Sequence, residues 1–403
     1  MGRVPVIVAT SAGKVRGGPE MFWNIPYAAP PVNAERFAAP APPAPWEGVR
    51  DARTPGPTAP VPPRRPLGAL DLTPLTGPGW ARGDDHLTVN VWTPSTSGRA
   101  PVMVFVHGGA FVFGTGRAPM YDGSSFARDG VVLVTLNYRL GAAGWLVLPG
   151  APANRGLLDV VAALRWVREN IGGFGGDPDE VTLFGQSAGA MIVSALLGVP
   201  EAEGLFRRAI SQSGGLALLT RRQSAATTKA LAAHLGIDPT VDAFAKVDDE
   251  RLVAATAALA PVALAGLSAF GIVADEPAVI HDVELLVGGN SQESNLYAGP
   301  GIDAPAIDAL FRDGSRALAE RHGRARTYEF DWRAGPYGAC HTVELPFVFE
   351  TTHLPELCRP GGLLGPEVPE PLARRVHQAW VRFAATGDPG WRQHHRFTEE
   401  EKP

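Results

Sequence analysis

From residue 87 onward the chain alternates short, largely apolar runs with stretches of helical length, and that alternation leaves few folds open. The runs are LTVNVW (87–92), PVMVFVH (101–107), VVLVTLNY (131–138), VTLF (181–184), RRAISQS (207–213), VELLVG (283–288) and RTYEFDW (326–332). Helical patterning covers 156–170, 188–198, 224–235, 303–321 and 368–386. Strands that are apolar at nearly every position, not at every second one, are buried on both faces, as in a mostly parallel sheet covered by helices. The expected class is α/β, with reactive groups at the carboxyl ends of the strands.

Other stretches narrow the choice further. Residues 30–80 are rich in proline, which excludes long helices there. Phe37, Trp46, Leu67, Leu70, Leu72, Leu75 and Trp80 are too apolar for a solvated tether, so an ordered wrapping loop is expected, within one domain spanning 1–403. Residues 253–274 carry no charge, yet Pro261, Gly266 and Gly271 interrupt them. They read as part of a helical excursion over about 222–280, near the active site, and not as a membrane span. A net charge of -5 without a Lys/Arg block gives a nucleic acid no basic face to bind. Two cysteines, Cys340 and Cys358, supply no disulfide framework. The N-terminal stretch reads as two strands around a glycine turn, without the apolar core of a signal peptide, so a cytoplasmic location is expected.

Chemistry concentrates at VTLFGQSAGAMIV (181–193). Gly185-Gln186-Ser187-Ala188-Gly189 fits G-x-S-x-G, in which a strand turns sharply into a helix and presents one serine. A serine hydroxyl needs a base, and the base needs an orienting acid. Among ten histidines, His341 in YGACHTVELPFVF follows the last of these strands, where the base of this chain order belongs. Glu293, in the loop after VELLVGG, is the favoured acid, with Asp275, Glu276, Glu284 and Asp303 as competitors. His107 ends a strand at HGGAF; its paired glycines point to exposed backbone N–H groups, an oxyanion hole with His107 itself structural. No metal-ligand spacing is seen, and no cofactor is expected.

Taken together, these motifs resemble the type B carboxylesterase family. The resemblance runs through FWNIPYAAPPVNAERFAAP, VFVHGGAFVFG, VTLNYRLGAAGWL, NRGLLDVVAALRWVRENIGGFGGDPDEVTLFGQSAGA, GLFRRAISQSGG, VGGNSQES, GACHTVELPFVF and WVRFAATGDP. It implies an α/β-hydrolase fold and a serine esterase in which Ser187 is the nucleophile, His341 the base and Glu293 the acid. It further implies that Gly109, Ala110 and Ala188 donate to the oxyanion, that Ser213 supports the triad acid, and that Gly108 and Gln186 stand beside these groups. Members usually carry glutamate at the position of Gln186, glycine at those of Thr342 and Ser294, and cysteine at that of His86. Segments that roof the site in the family are shorter here, so a reduced helical roof is expected. A neutral Gln186 points to neutral esters of short or medium acyl length as the small-molecule substrates. The same triad would also serve an acyltransferase, lactonase, amidase or carbamate hydrolase; a binding protein on an esterase scaffold is the remote alternative.

Overall fold

The computed structural model describes residues 5–63, 67, 70–274, 281–297 and 302–399. Among these, nine strands form the main sheet: β1 (Met21–Pro26), β2 (Thr88–Trp92), β3 (Ala100–Val106), β4 (Val132–Leu136), β5 (Gly176–Gln186), β6 (Arg208–Gln212), β7 (Glu284–Asn290), β8 (Arg326–Phe330) and β9 (His394–Phe397). Their spatial order is β9-β8-β7-β6-β5-β3-β4-β2-β1. All pairs from β9 to β4 are parallel, and β2 and β1 add on antiparallel at the far edge.

Strand alternation sorts the core into two layers. Val102, Val104, Val106, Val132, Val134, Val181 and Leu183 pack on one face with helix α1 (Arg155–Asn170) and helix α2 (Ala188–Leu196). Met103, Phe105, Leu133, Phe184, Ile210 and Leu286 pack on the other, against Leu372, Val376, Trp380 and Phe383 of a later helix, Glu370–Thr386. All five residues of β4 are buried, as a strand covered on both faces requires.

All seven strands expected from the sequence are present, although β5 begins five residues earlier than VTLF. Two main-sheet strands, β1 and β9, were not foreseen. Both lie at edges, where one face or one flank is open and the apolar signal is weaker. The two N-terminal strands, Val6–Ala9 and Lys14–Gly17, pair antiparallel beside Val49–Asp51 in a separate small sheet. Residues 303–321 are not one helix: Ala304–Asp308 and Gly314–His322 flank a π-helical turn at Ala309–Asp313. The extra residue in such a turn redirects side chains, and Phe311 lands against His341 with ring centroids 4.0 Å apart.

Within 30–80, Phe37, Leu70, Leu72 and Leu75 are buried, while Trp46 and Trp80 pack partly exposed against the core. The segment after β6 holds helix Arg221–Leu235, helix Asp249–Ala258 and an irregular loop that runs to Ile272–Val273. Thr220 and Gln223 cap the first of these helices reciprocally. Among the described residues no helix is long and apolar enough to cross a membrane.

Candidate active site

Two glycines make the turn at Ser187 possible. A Cβ on Gly189 would lie 2.0 Å from the Val106 carbonyl oxygen, and one on Gly185 would lie 2.7 Å from the Gly189 backbone. Strand and helix therefore approach more closely than any side chain permits. Between them Ser187 is forced to φ 57°, ψ −124°, a conformation that costs a residue with a side chain about 1–3 kcal/mol. Its N–H donates to the Gln212 carbonyl at 2.9 Å, and its carbonyl accepts from Met191 N–H. The backbone is thus tied on both sides, and strain is held at a serine that lines a cavity.

His341 and Glu293 meet across 48 residues. Nδ1 of His341 donates to Oε2 of Glu293 at 2.6 Å, and both side chains are buried. Glu293 opens the helical turn directly after β7, so the strand end delivers the carboxylate. Its other oxygen accepts from Ser213 Oγ at 2.6 Å and from Asn290 N–H at 2.7 Å. The imidazole is stacked on Phe311, which restricts its rotation. With Nδ1 donating, Nε2 is left as an acceptor, and the Gln186 amide donates to it at 3.2 Å. No hydrogen bond joins Ser187 Oγ to His341 among the described residues; such contacts often form only when substrate is bound.

Of the competing acids, Glu284 lies at the other end of β7 and pairs with Arg208, while Asp303 caps the helix Ala304–Asp308. Asp275 and Glu276 lie outside the described residues. His107 is buried, stacked on Tyr138 with centroids 4.5 Å apart, and pushed down to about 4 by burial, so it is a neutral packing group.

A second buried carboxylate, Glu344, escaped the reading of the sequence. Asn290 Nδ2 donates to it at 2.7 Å and Gln212 Nε2 at 3.3 Å, and Gln212 is fixed in turn by Trp380 Nε1 at 3.1 Å. Burial, then the nearby charge of Glu293, push its carboxyl up to about 7. Asn290 therefore serves both acids, through its backbone for Glu293 and its side chain for Glu344. The only hint in the sequence was an acid within the apolar run that follows His341. Cys340 is also fully buried; burial first, then Glu293 and Glu344, push its thiol well up and keep it neutral.

The HGGAF loop runs alongside the serine. A Cβ on Gly108 would sit 2.9 Å from the Gln186 carbonyl oxygen and 3.1 Å from the Ser187 Cβ, so a side chain there would push the serine's own backbone. Ala110 and Phe111 both take positive φ, 54° and 65°, an arrangement of successive N–H groups suited to anions. Neither Gly109 nor Ala110 spends its N–H on an acceptor among the described residues, and Ala188, first in helix α2, has no intrahelical acceptor for its own. Thr342, next to His341, also takes positive φ, 75°.

Ser187, Gln186, His341, Thr342, Gly108, Gly109 and Ala110 line one cavity of about 420 Å³. Its remaining walls include Leu75, Phe113, Leu259, Leu267, Phe270, Leu296 and Tyr297, and among the described residues no Asp, Glu, Lys or Arg lines it. A cluster with ligand-type side chains, Asp129, Glu350 and His377, lies elsewhere. Arg128 already bonds both of its carboxylates, so a guanidinium supplies the positive charge there.

The family model described as the carboxylesterase family matches residues 5–309. The para-nitrobenzyl esterase of Bacillus subtilis is 36% identical over 98% of this chain and 94% of its own length; the alignment runs to 465 positions against a chain of 403, so that relative carries segments lacking here. The phenmedipham hydrolase of Pseudarthrobacter oxydans is 35% identical over 95% of this chain and 90% of its own. A solved para-nitrobenzyl esterase superposes with a TM-score of 0.85 at 34% identity, covering 98% of this chain and 96% of that one.

Proposed function

The chain belongs to the carboxylesterase family, with the α/β-hydrolase fold and a serine hydrolase's chemistry, and on that premise we propose that it hydrolyses neutral carboxylic esters through Ser187, His341 and Glu293. The observation that carries this reading is the shared cavity: a strained serine and a carboxylate-held imidazole open into one chamber in which no Asp, Glu, Lys or Arg lines the wall among the described residues.

In the proposed cycle, the ester carbonyl enters above Ser187. His341 Nε2 releases its bond with Gln186, takes the Ser187 proton, and Ser187 Oγ bonds to the carbonyl carbon. Charge moves to the carbonyl oxygen, where the N–H groups of Gly109, Ala110 and Ala188 receive it; removal of one such donor commonly costs about 2.7–4 kcal/mol in the barrier. Glu293, held by Ser213 and Asn290, stabilises the imidazolium. The proton then passes to the departing alcohol, and water repeats the sequence to free the acid.

Gln186 bears on the choice of substrate. A glutamate there would place a negative charge beside the imidazole and favour cationic esters, whereas an amide contributes a dipole only. Short and medium acyl chains suit a chamber of about 420 Å³ walled by aliphatic and aromatic groups. A cytoplasmic setting agrees with two unpaired cysteines. The test is a kinetic panel pairing acyl-cholines with uncharged esters of equal acyl length, and including phenmedipham because a relative is named for its hydrolysis. We expect higher kcat/KM on the uncharged esters; preference for acyl-choline refutes the substrate assignment.

A further inference from the structure

One hydroxyl on the far wall of the cavity reaches the backbone proposed to receive charge. Ser268 Oγ donates to the Ala110 carbonyl at 2.7 Å across 158 residues, and the same oxygen accepts from Phe270 N–H at 3.0 Å. Ser268 is itself buried. Its loop does not need the hydroxyl's hydrogen to close. Ala263 N–H donates to the Ser268 carbonyl at 2.8 Å and Ser268 N–H returns to Ala263 at 3.3 Å, which already shapes the turn through Leu264–Gly266. The one proton Ser268 has to give is spent on Ala110.

That contact falls at a sensitive place. Three consecutive carbonyls around the turn are anchored, each by a different part of the chain. The Gly109 carbonyl accepts from Val112 and Phe113 N–H, the Ala110 carbonyl from Ser268, and the Phe111 carbonyl from Gly141 N–H at 2.8 Å. The Ala110 N–H belongs to the peptide unit of the first carbonyl, and the second fixes the rotation of Ala110 about its own Cα. Alanine at φ 54° is in the left-handed region, which costs an L-residue roughly 1–2 kcal/mol, so the turn depends on contacts that hold it. Among the described residues, no other hydrogen bond holds the carbonyl of the Ala110–Phe111 peptide unit.

We infer that Ser268 is a positioning residue for the oxyanion-binding backbone, coupling the wall of the substrate cavity to the turn at Ala110. Gly266, Leu267, Ala269 and Phe270, its neighbours in sequence, line the same cavity as Ser187. A substrate that packs against this wall therefore bears on the segment that fixes Ala110. The inference rests on the proposed esterase chemistry and adds to it a second function for the wall.

The experiment compares wild type with Ser268→Ala and Ser268→Thr, reading kcat and KM on an uncharged ester and the affinity of an alkyl trifluoromethyl ketone. Addition of Ser187 Oγ to that ketone's carbonyl carbon, with the serine proton passing to His341, leaves an oxyanion for the turn to bind. We expect Ser268→Ala to lower kcat about tenfold or more, with KM changed less than about threefold. Ketone affinity should fall in parallel, and Ser268→Thr, which keeps the hydroxyl, should recover most of both. If the alanine variant is unstable, Ser268→Cys, with a weaker donor, should fall between wild type and full loss. A kcat within about twofold of wild type, a loss carried by KM alone, or no recovery with threonine overturns the inference. A wild-type protein that neither hydrolyses esters nor binds the ketone overturns the esterase reading first, and the two failures are thereby distinguished.

Discussion

The floor and the roof of the cavity are built in contrasting ways. On the floor, Gly185 and Gly189 let a strand and a helix come so close that Ser187 has no other path to follow, and backbone hydrogen bonds hold it. The roof, from Leu259 to Phe270, is mostly small and aliphatic residues with positive φ at Leu264 and Ala265, and among the described residues its hydrogen bond to the floor is Ser268–Ala110. The difference teaches where each kind of perturbation should be felt. Changes to the floor should register as stability or as rate, and changes to the roof as binding, except at Ser268, whose bond to Ala110 carries its loss into rate.

The largest expected effect breaks the floor. Gly189→Ala puts a Cβ within 2.0 Å of a main-chain oxygen that cannot give way cheaply. We expect a loss of about 3 kcal/mol or more in denaturant unfolding, or failure to fold; a variant as stable as wild type would show that the elbow is not sterically dictated.

Next in size is Glu344. Its carboxyl holds a proton to about pH 7 in the folded protein, because of burial and then Glu293, while the unfolded chain releases it near 4.5. A folded-state value above the unfolded one gives stability that is present below about pH 4.5 and lost as pH rises through about 7. Glu344→Gln removes the ionisation, so its advantage over wild type should grow across that window, by roughly 3 kcal/mol at most. Unfolding both proteins by urea at a series of pH values checks this, and a difference that stays flat with pH contradicts it.

Two smaller effects sharpen the contrast. Gln186→Glu should move the choline-to-neutral ester ratio of kcat/KM toward choline by about tenfold; an unchanged ratio would remove Gln186 from the account of substrate charge. Leu267→Ala, on the roof, should raise KM for medium-chain esters by about threefold with unfolding altered by less than about 1 kcal/mol. A large drop in stability there would mean that the roof is part of the core.

The same contrast explains what could be read from the sequence. Floor elements are legible because each obeys a local rule: unbroken apolar strands such as Val132–Leu136, glycines flanking Ser187, and a polar loop at the end of β7 carrying Glu293. Meeting of Glu293 and His341 follows from chain order in a parallel sheet. What stayed hidden depends on side chains that touch only after folding. Glu344 and Gln212 lie in stretches that stand out for their neighbours His341 and Ser213, and become a network because Asn290 and Trp380 reach them. Ser268 sat in a stretch noted only for its lack of charge, with nothing local to mark its partner at Ala110. The π-helical turn at Ala309–Asp313 is likewise invisible to a helical period, since one extra residue is tolerated by packing and not encoded as a break.

The central claim is that Ser187 is the nucleophile, activated by His341. Labelling the intact protein with a fluorophosphonate probe and mapping the modified peptide by mass spectrometry tests it most directly. The account predicts one adduct, on Ser187, absent in Ser187→Ala and slowed by about a thousandfold or more in His341→Ala; a protein that hydrolyses esters while Ser187 stays unlabelled, or labels at another residue, contradicts it.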